Sequence, residues 1–101
     1  MAQLEGAFVA AQFERIDTFE WTDPQGQIKP IRRFVTLMEF GDGKRDWVDI
    51  GFPRDPAYRA PNLSPKTKYV FPVLVGVDRK KNAVRFTIRT DIQPFEAPDI
   101  S

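Results

Sequence analysis

The sequence predicts an all-β chain folded as a small five-stranded antiparallel barrel with one projecting hairpin. Three observations carry this. Two β-prone runs, 31–40 and 45–52, flank Gly41-Asp42-Gly43, a strong hairpin signal. Two further turn motifs, Asp23-Pro24-Gln25-Gly26 and Asp78-Arg79-Lys80-Lys81-Asn82, separate other β-rich runs. Four prolines in 53–66 (Pro53, Pro56, Pro61, Pro65) leave no place for a long helix.

The first strand is residues 4–21. Leu4, Phe8 and Ala11 also sit at helical spacing, but the Phe-Val, Ile-Asp-Thr-Phe and Trp-Thr runs favour strand. Pro24 and Gly26 then suit a tight turn. The chain returns through Gln27–Pro30 into the second strand, and Pro30 donates no ladder hydrogen bond, so this part is an edge or projects beyond the sheet. If Asp42 and Gly43 form a two-residue turn, Gly41 opposes Lys44 in the third strand. Val35 then faces Ile50, Leu37 faces Val48 and Met38 faces Trp47. Side chains alternate along strands, so Val35, Leu37, Val48, Ile50 and Phe52 form an aliphatic core face. Arg32, Phe34, Thr36, Met38, Arg45, Trp47 and Asp49 share the opposite one.

After the proline-rich connection, which admits one short turn near Pro56–Ala60, residues 68–77 form the fourth strand. It is apolar on both parities and so expected to be covered on both sides, by the core and by another subunit. Pro72 marks it as an edge or bulged strand. In the fifth, 83–91, Val84, Phe86 and Ile88 alternate with Arg85, Thr87 and Arg89. Residues 1–91 read as one domain and 92–101 as an acidic, proline-containing tail. Hairpins between strands 1–2, 2–3 and 4–5, with a longer 3–4 connection, meet the requirements of an OB-like barrel; an SH3-like barrel or small sandwich meets them too.

Composition narrows function. The chain has no cysteine and no histidine, which removes disulfides, the usual zinc ligand sets and the usual neutral-pH general base. Asp46 and Asp49 fall on opposite strand faces, and the only serines, Ser64 and Ser101, lack a histidine to activate them. A non-enzyme without cofactor or metal is expected. No apolar run reaches the length of a membrane span and no signal-peptide core follows the start, so a soluble cytoplasmic protein without membrane contact is expected. Net charge is +1, unevenly distributed. Residues 1–27 hold Arg15 against Glu5, Glu14, Asp17, Glu20 and Asp23; residues 28–90 hold fourteen bases and six acids; residues 91–101 hold acids only. A basic body suits a polyanion.

The mixed face of Phe34, Met38 and Trp47 with Arg32, Arg45 and Thr36 joins rings to cations. Single-stranded nucleic acid is held this way, by bases stacked on rings and phosphates met by cations. The same face equally suits a second core layer or a subunit contact. The hairpin from Asp17 to Arg33 carries Phe19, Trp21 and Ile28, with Lys29, Arg32 and Arg33 on its returning arm. It either closes over a bound strand or packs back on the barrel. Lys80, Lys81, Arg85 and Arg89 form a further basic set, or a solvated face. The candidate nucleic-acid-binding residues are Trp21, Lys29, Arg32, Arg33, Phe34, Arg45, Trp47, Arg85 and Arg89.

At these residues the chain resembles the gene V-type single-stranded DNA-binding, helix-destabilising proteins of filamentous phages. Gln25-Gly26-Gln27-Ile28-Lys29-Pro30-Ile31 is similar to their Gln-Gly-Lys-Pro-aromatic run with two residues inserted. Pro56-Ala57-Tyr58-Arg59-Ala60-Pro61-Asn62-Leu63, followed by Tyr69-Val70, is similar to their Pro-Ala-Tyr-x-Pro-Gly-Leu-Tyr-x-Val pattern. Ile31 stands where the family has a stacking aromatic, and Asp78–Asn82 lacks the family's loop aromatic. The resemblance implies an OB-like homodimer that coats single-stranded DNA, or RNA, cooperatively in phage or mobile-element replication. The acidic tail resembles, more loosely, the partner-recruiting tails of bacterial single-strand binding proteins, which would give it a protein partner. The alternative is a protein–protein interaction module using the same exposed aromatic and arginine face.

Overall fold

The computed structural model describes residues 5–98. Its strands are β1 (Glu5–Thr22), β2 (Ile28–Glu39), β3 (Arg45–Gly51), β4 (Lys68–Asp78), β5 (Ala83–Ile88) and β6 (Phe95–Glu96). They close in the order β1-β2-β3-β5-β4 and back to β1, an OB-like barrel, with β6 added to β4. The expected all-β barrel is therefore present, with one difference. β3 meets β5 in parallel at Ile50↔Phe86 and Gly51↔Thr87, so the barrel is mixed rather than wholly antiparallel.

β1 closes the barrel because it is long enough to serve two neighbours. Its first part, Glu5–Gln12, pairs β4, and Gln12–Thr22 pairs β2. Between Phe13↔Thr36 and Arg15↔Val35 the register slips at Glu14, a bulge that bends the strand and inverts its facing. Val9, Ala11 and Phe13 point inward; beyond the bulge Asp17, Phe19 and Trp21, of the same parity, point outward. Glu14 itself is held by Gln12 and by the Lys66 ammonium, which keep its carboxyl below the usual carboxylate range.

The β2–β3 turn differs from the two-residue turn expected. Gly43 N–H donates to Phe40 O (2.9 Å) and Phe40 N–H to Lys44 O (2.8 Å), so the loop has three residues, closed by Gly43 at φ +83°. A type I turn followed by a left-handed glycine has this form. Every cross-strand pair shifts by one: Phe34 faces Ile50, Thr36 faces Val48, Leu37 faces Trp47 and Met38 faces Asp46. A one-residue slip moves a whole set of side chains to the other face. Phe34 and Thr36 are accordingly in the core, both fully buried. Phe34 meets Phe13, Phe52 and Phe71 at 6.2, 4.7 and 5.6 Å between ring centres. The buried Thr36 hydroxyl donates to Val48 O at 2.7 Å, which offsets the cost of removing it from water.

The two strand prolines sit where a missing N–H costs nothing. Arg32 O accepts from Phe52 N–H, so the same backbone edge of β2 at Pro30 faces outward, past the last β2–β3 pair at Arg33↔Gly51. Residues 19–22 and 28–31 thus form a free two-stranded arm, as the sequence suggested. Pro72 is not on an edge strand. β4 is paired on both sides, but Pro72 lies between the stretch bonded to β5 (73–78) and the stretch bonded to β6 (69–70). Its carbonyl accepts from Arg89 N–H at 2.9 Å. Residues that pair in an antiparallel ladder exchange both groups on one side, so the absent N–H falls at this change of partner. Phe95–Glu96, read as tail, extends the sheet as β6; the tail's Asp99, Ile100 and Ser101 lie outside the described residues.

Candidate functional site

The outer face of β1–β2–β3 runs without a break from barrel to arm. Its cross-strand rows are Glu39–Arg45, Leu37–Trp47, Arg15–Val35–Asp49, Asp17–Arg33–Gly51, Phe19–Ile31 and Trp21–Lys29. Three rings stand in solvent along it: Trp47 is 56% exposed, Trp21 48% and Phe19 42%. Each of two rings carries a guanidinium. Arg15 lies 5.9 Å from the Trp47 ring centre and Arg33 5.1 Å from that of Phe19, within cation–π range. Rings and cations thus alternate along a line that crosses the barrel and continues onto the arm.

Every cation of this face has a carboxylate beside it. Arg15 meets Asp17 at 2.9 Å, and Arg33 meets Asp49 at 3.0 Å and Asp17 at 3.9 Å. Lys29 meets Asp23 at 3.5 Å and Arg45 meets Glu39 at 3.9 Å. Four bases against four acids leave the face close to neutral. Arg33, at the junction of barrel and arm, is the least exposed of the four and has its Nε buried without a hydrogen-bond partner. The pairs of Arg15, Arg33 and Arg45 are solvent-exposed and contribute only about 0–1 kcal/mol each, so exchange of a carboxylate for a phosphate oxygen there carries little cost, whereas the Asp23 carboxylate beside Lys29 is buried. Among the described residues Arg32, Arg54, Arg59, Lys68, Arg79, Lys80, Lys81 and Arg85 make no ion pair.

The arm tip is set by Asp23. Its Oδ1 accepts from the amides of Gln27 (2.8 Å) and Gln25 (3.0 Å), and Gly26 at φ +84° closes the loop. The Gln27 amide, aided by Lys29 and the Gln25 amide, holds the Asp23 carboxyl below the usual carboxylate range against the opposing effect of burial. The tip thereby repeats the three-residue geometry of the β2–β3 loop.

The structure brings together five of the nine residues singled out in the sequence: Trp21, Lys29, Arg33, Arg45 and Trp47. It separates four. Phe34 is a core ring and offers no surface to a base. Arg32 pairs with Thr18 on the reverse side of the arm. Arg85 is exposed on β5, and Arg89 lies further along the same strand direction, clamped by Asp91 at 3.0 Å from Nε. Arg15 and Phe19 belong to the face and were not among the nine. Their signal was present in the odd-numbered series Arg15, Asp17, Phe19, Trp21, once the bulge at Glu14 is recognised.

Among the described residues no group of three or more carboxylates gathers where a metal ion could be held, and no helix is long and apolar enough to cross a membrane. Comparison with protein-family models, with curated proteins and with solved structures finds no match for this chain.

Proposed function

We propose that the outer β1–β2–β3 face and its arm bind single-stranded DNA independently of sequence. One observation carries this reading: Trp47, Phe19 and Trp21 stand exposed on one continuous face, interleaved with Arg15, Arg33 and Lys29. Every base has a π-face, so stacking on such rings tolerates any sequence, at about 1–3 kcal/mol per base. The β2–β3 face of OB-like barrels is a recurrent oligonucleotide surface, which agrees in kind with the placement. The resemblance to the gene V type supports the same reading and sets it in phage or mobile-element replication, with the chain acting as a homodimer.

The near-neutral charge of the face favours a second reading, a protein partner docked on the same rings, since aromatics and arginine also dominate protein interfaces. The two readings separate on Trp47→Ala, which removes an exposed ring and leaves the core intact. Under the first, affinity for an oligothymidylate falls about 5- to 150-fold, the loss of one stack, with an unchanged circular dichroism spectrum. Undiminished oligonucleotide binding in this variant contradicts it.

A further inference from the structure

A cavity of about 570 Å³ opens on the barrel where the end of β3 and the end of β5 come together; Gly6, Arg54, Leu74, Thr87, Arg89 and Thr90 line it. It is reached from the aromatic face along one cross-strand row. Arg33 pairs with Gly51, Gly51 with Thr87, Thr87 with Leu74 and Leu74 with Gly6. Gly51 presents no side chain in this row, so the path from Arg33 to Thr87 has a bare backbone floor. From Trp47 to Gly51 is four residues of strand, about 13 Å, so a bound strand reaches the cavity only with nucleotides beyond those stacked on the three rings.

The cavity's polar groups suit an anion. Arg54 is exposed and makes no ion pair among the described residues. Arg89 binds Asp91 through Nε and Nη2, and its Nη1 is turned across Gly6, where a Cβ would come within 3.0 Å of it. The absence of a side chain at Gly6 therefore lets this guanidinium lie along the cavity. The hydroxyls of Thr87 and Thr90 make no hydrogen bond among the described residues. Two guanidiniums and the Asp91 carboxylate leave one net positive charge, the complement of a single phosphodiester rather than of a doubly charged terminal phosphate.

We propose that this cavity is an anchoring subsite for one phosphodiester of a bound single strand, with Arg54 as its principal cation and Arg89, Thr87 and Thr90 as further donors. The proposal rests on the reading of the aromatic face as a single-strand surface. It adds a direction to that surface: the strand leaves the rings past Arg33 and Gly51 and crosses toward β5, rather than running only along the arm.

The test compares two probes, oligothymidylates of about three and about twelve nucleotides, below and within the roughly 4–16 nucleotides that one OB barrel spans. Binding is measured by fluorescence anisotropy across a salt series for the wild type, Arg54→Ala, Arg54→Lys and Trp47→Ala. Arg54 is exposed, so its replacement leaves the fold intact. For the longer probe Arg54→Ala is expected to weaken binding roughly tenfold, the loss of a charged hydrogen bond. Its log–log salt slope should become shallower by about 0.7, one phosphate contact. Arg54→Lys should keep most of the slope. The shorter probe should be indifferent to Arg54. An Arg54→Ala variant that binds both probes as the wild type does, while Trp47→Ala does not, overturns the subsite and leaves the aromatic face standing. A wild type that binds neither probe at low salt overturns both.

Discussion

Replacement of Phe34 by alanine tests the β2–β3 register, because the register decides whether this ring lies opposite Ile50 on the core face or shares the face of Trp47. Its ring lies 4.7 Å from that of Phe52, 5.6 Å from Phe71 and 6.2 Å from Phe13, and none of it reaches solvent. Truncating such a side chain costs its transfer free energy and leaves a void that three surrounding rings, each fixed on a different segment, cannot fill. The usual cost is about 3–5 kcal/mol, set against about 5–15 kcal/mol for a whole domain. For a chain of this size that is a fall in Tm of roughly 15–30 °C. At an m-value of about 2 kcal/mol/M it lowers the urea midpoint by roughly 1.5–2.5 M. Equilibrium urea unfolding followed by far-ultraviolet circular dichroism reads the difference directly. With the two-residue turn Phe34 would share the face of Arg32, Arg45 and Trp47, and as a solvated ring there its loss would stay within about 0.5 kcal/mol. A Phe34→Ala variant less than about 1 kcal/mol weaker than the wild type refutes the register.

Two further predictions concern the turns. Asp23 is hydrogen-bonded as its carboxylate, and its folded-state pKa lies below the ordinary value. Its stabilising contribution is therefore present above the unfolded-state carboxylate range and is lost as pH falls through the lowered folded value. Asp23→Asn should thus be less stable than the wild type at pH 7, and the gap should narrow toward pH 3 in urea melts; a gap that widens on acidification contradicts the assignment. Gly43→Ala places a Cβ in the left-handed region at φ +83° with open space around it, so its cost is backbone strain alone, about 1–2 kcal/mol. Gly41→Ala, in the same loop with open space but without positive φ, should change stability little. Equal costs at the two positions would show that the loop does not close on Gly43.

The strands were legible because each is a β-rich run bounded by Gly, Pro or Asp, and those signals are local. The alternation of Val84, Phe86 and Ile88 with Arg85, Thr87 and Arg89 marks β5, although the strand ends at Ile88, short of the expected residue 91, and Val84 is exposed where the β4–β5 hairpin outruns the barrel. What failed was phase. Gly41 and Gly43 both look like turn residues, and the choice between a two- and a three-residue loop decides every facing beyond it. The tip at Pro24-Gln25-Gly26 held the clue, since there too a glycine closes a three-residue loop. The bulge at Glu14 hid the arm's outward face in the same way, by setting Phe19 and Trp21 on the parity of core residues Val9, Ala11 and Phe13. Closure of β1 on β4 and the parallel contact of β3 with β5 join segments far apart in the chain and leave no local mark. The candidate residues divide accordingly: Trp21, Lys29, Arg33, Arg45 and Trp47 share the outer face, whereas Phe34, expected beside them, lies on the core side of its strand.

If rings and cations of the outer face act together on a single strand, the intrinsic fluorescence of that face reports it. Trp21 and Trp47 are the only tryptophans, and both lie on that face. Titration with a polypyrimidine oligonucleotide at low salt should quench them strongly through base stacking. High salt should reverse the quenching, with a log–log slope of roughly −0.7 per phosphate contacted. A fluorescence signal unmoved by oligonucleotide at low salt contradicts single-strand binding at this face and points to a protein partner for it.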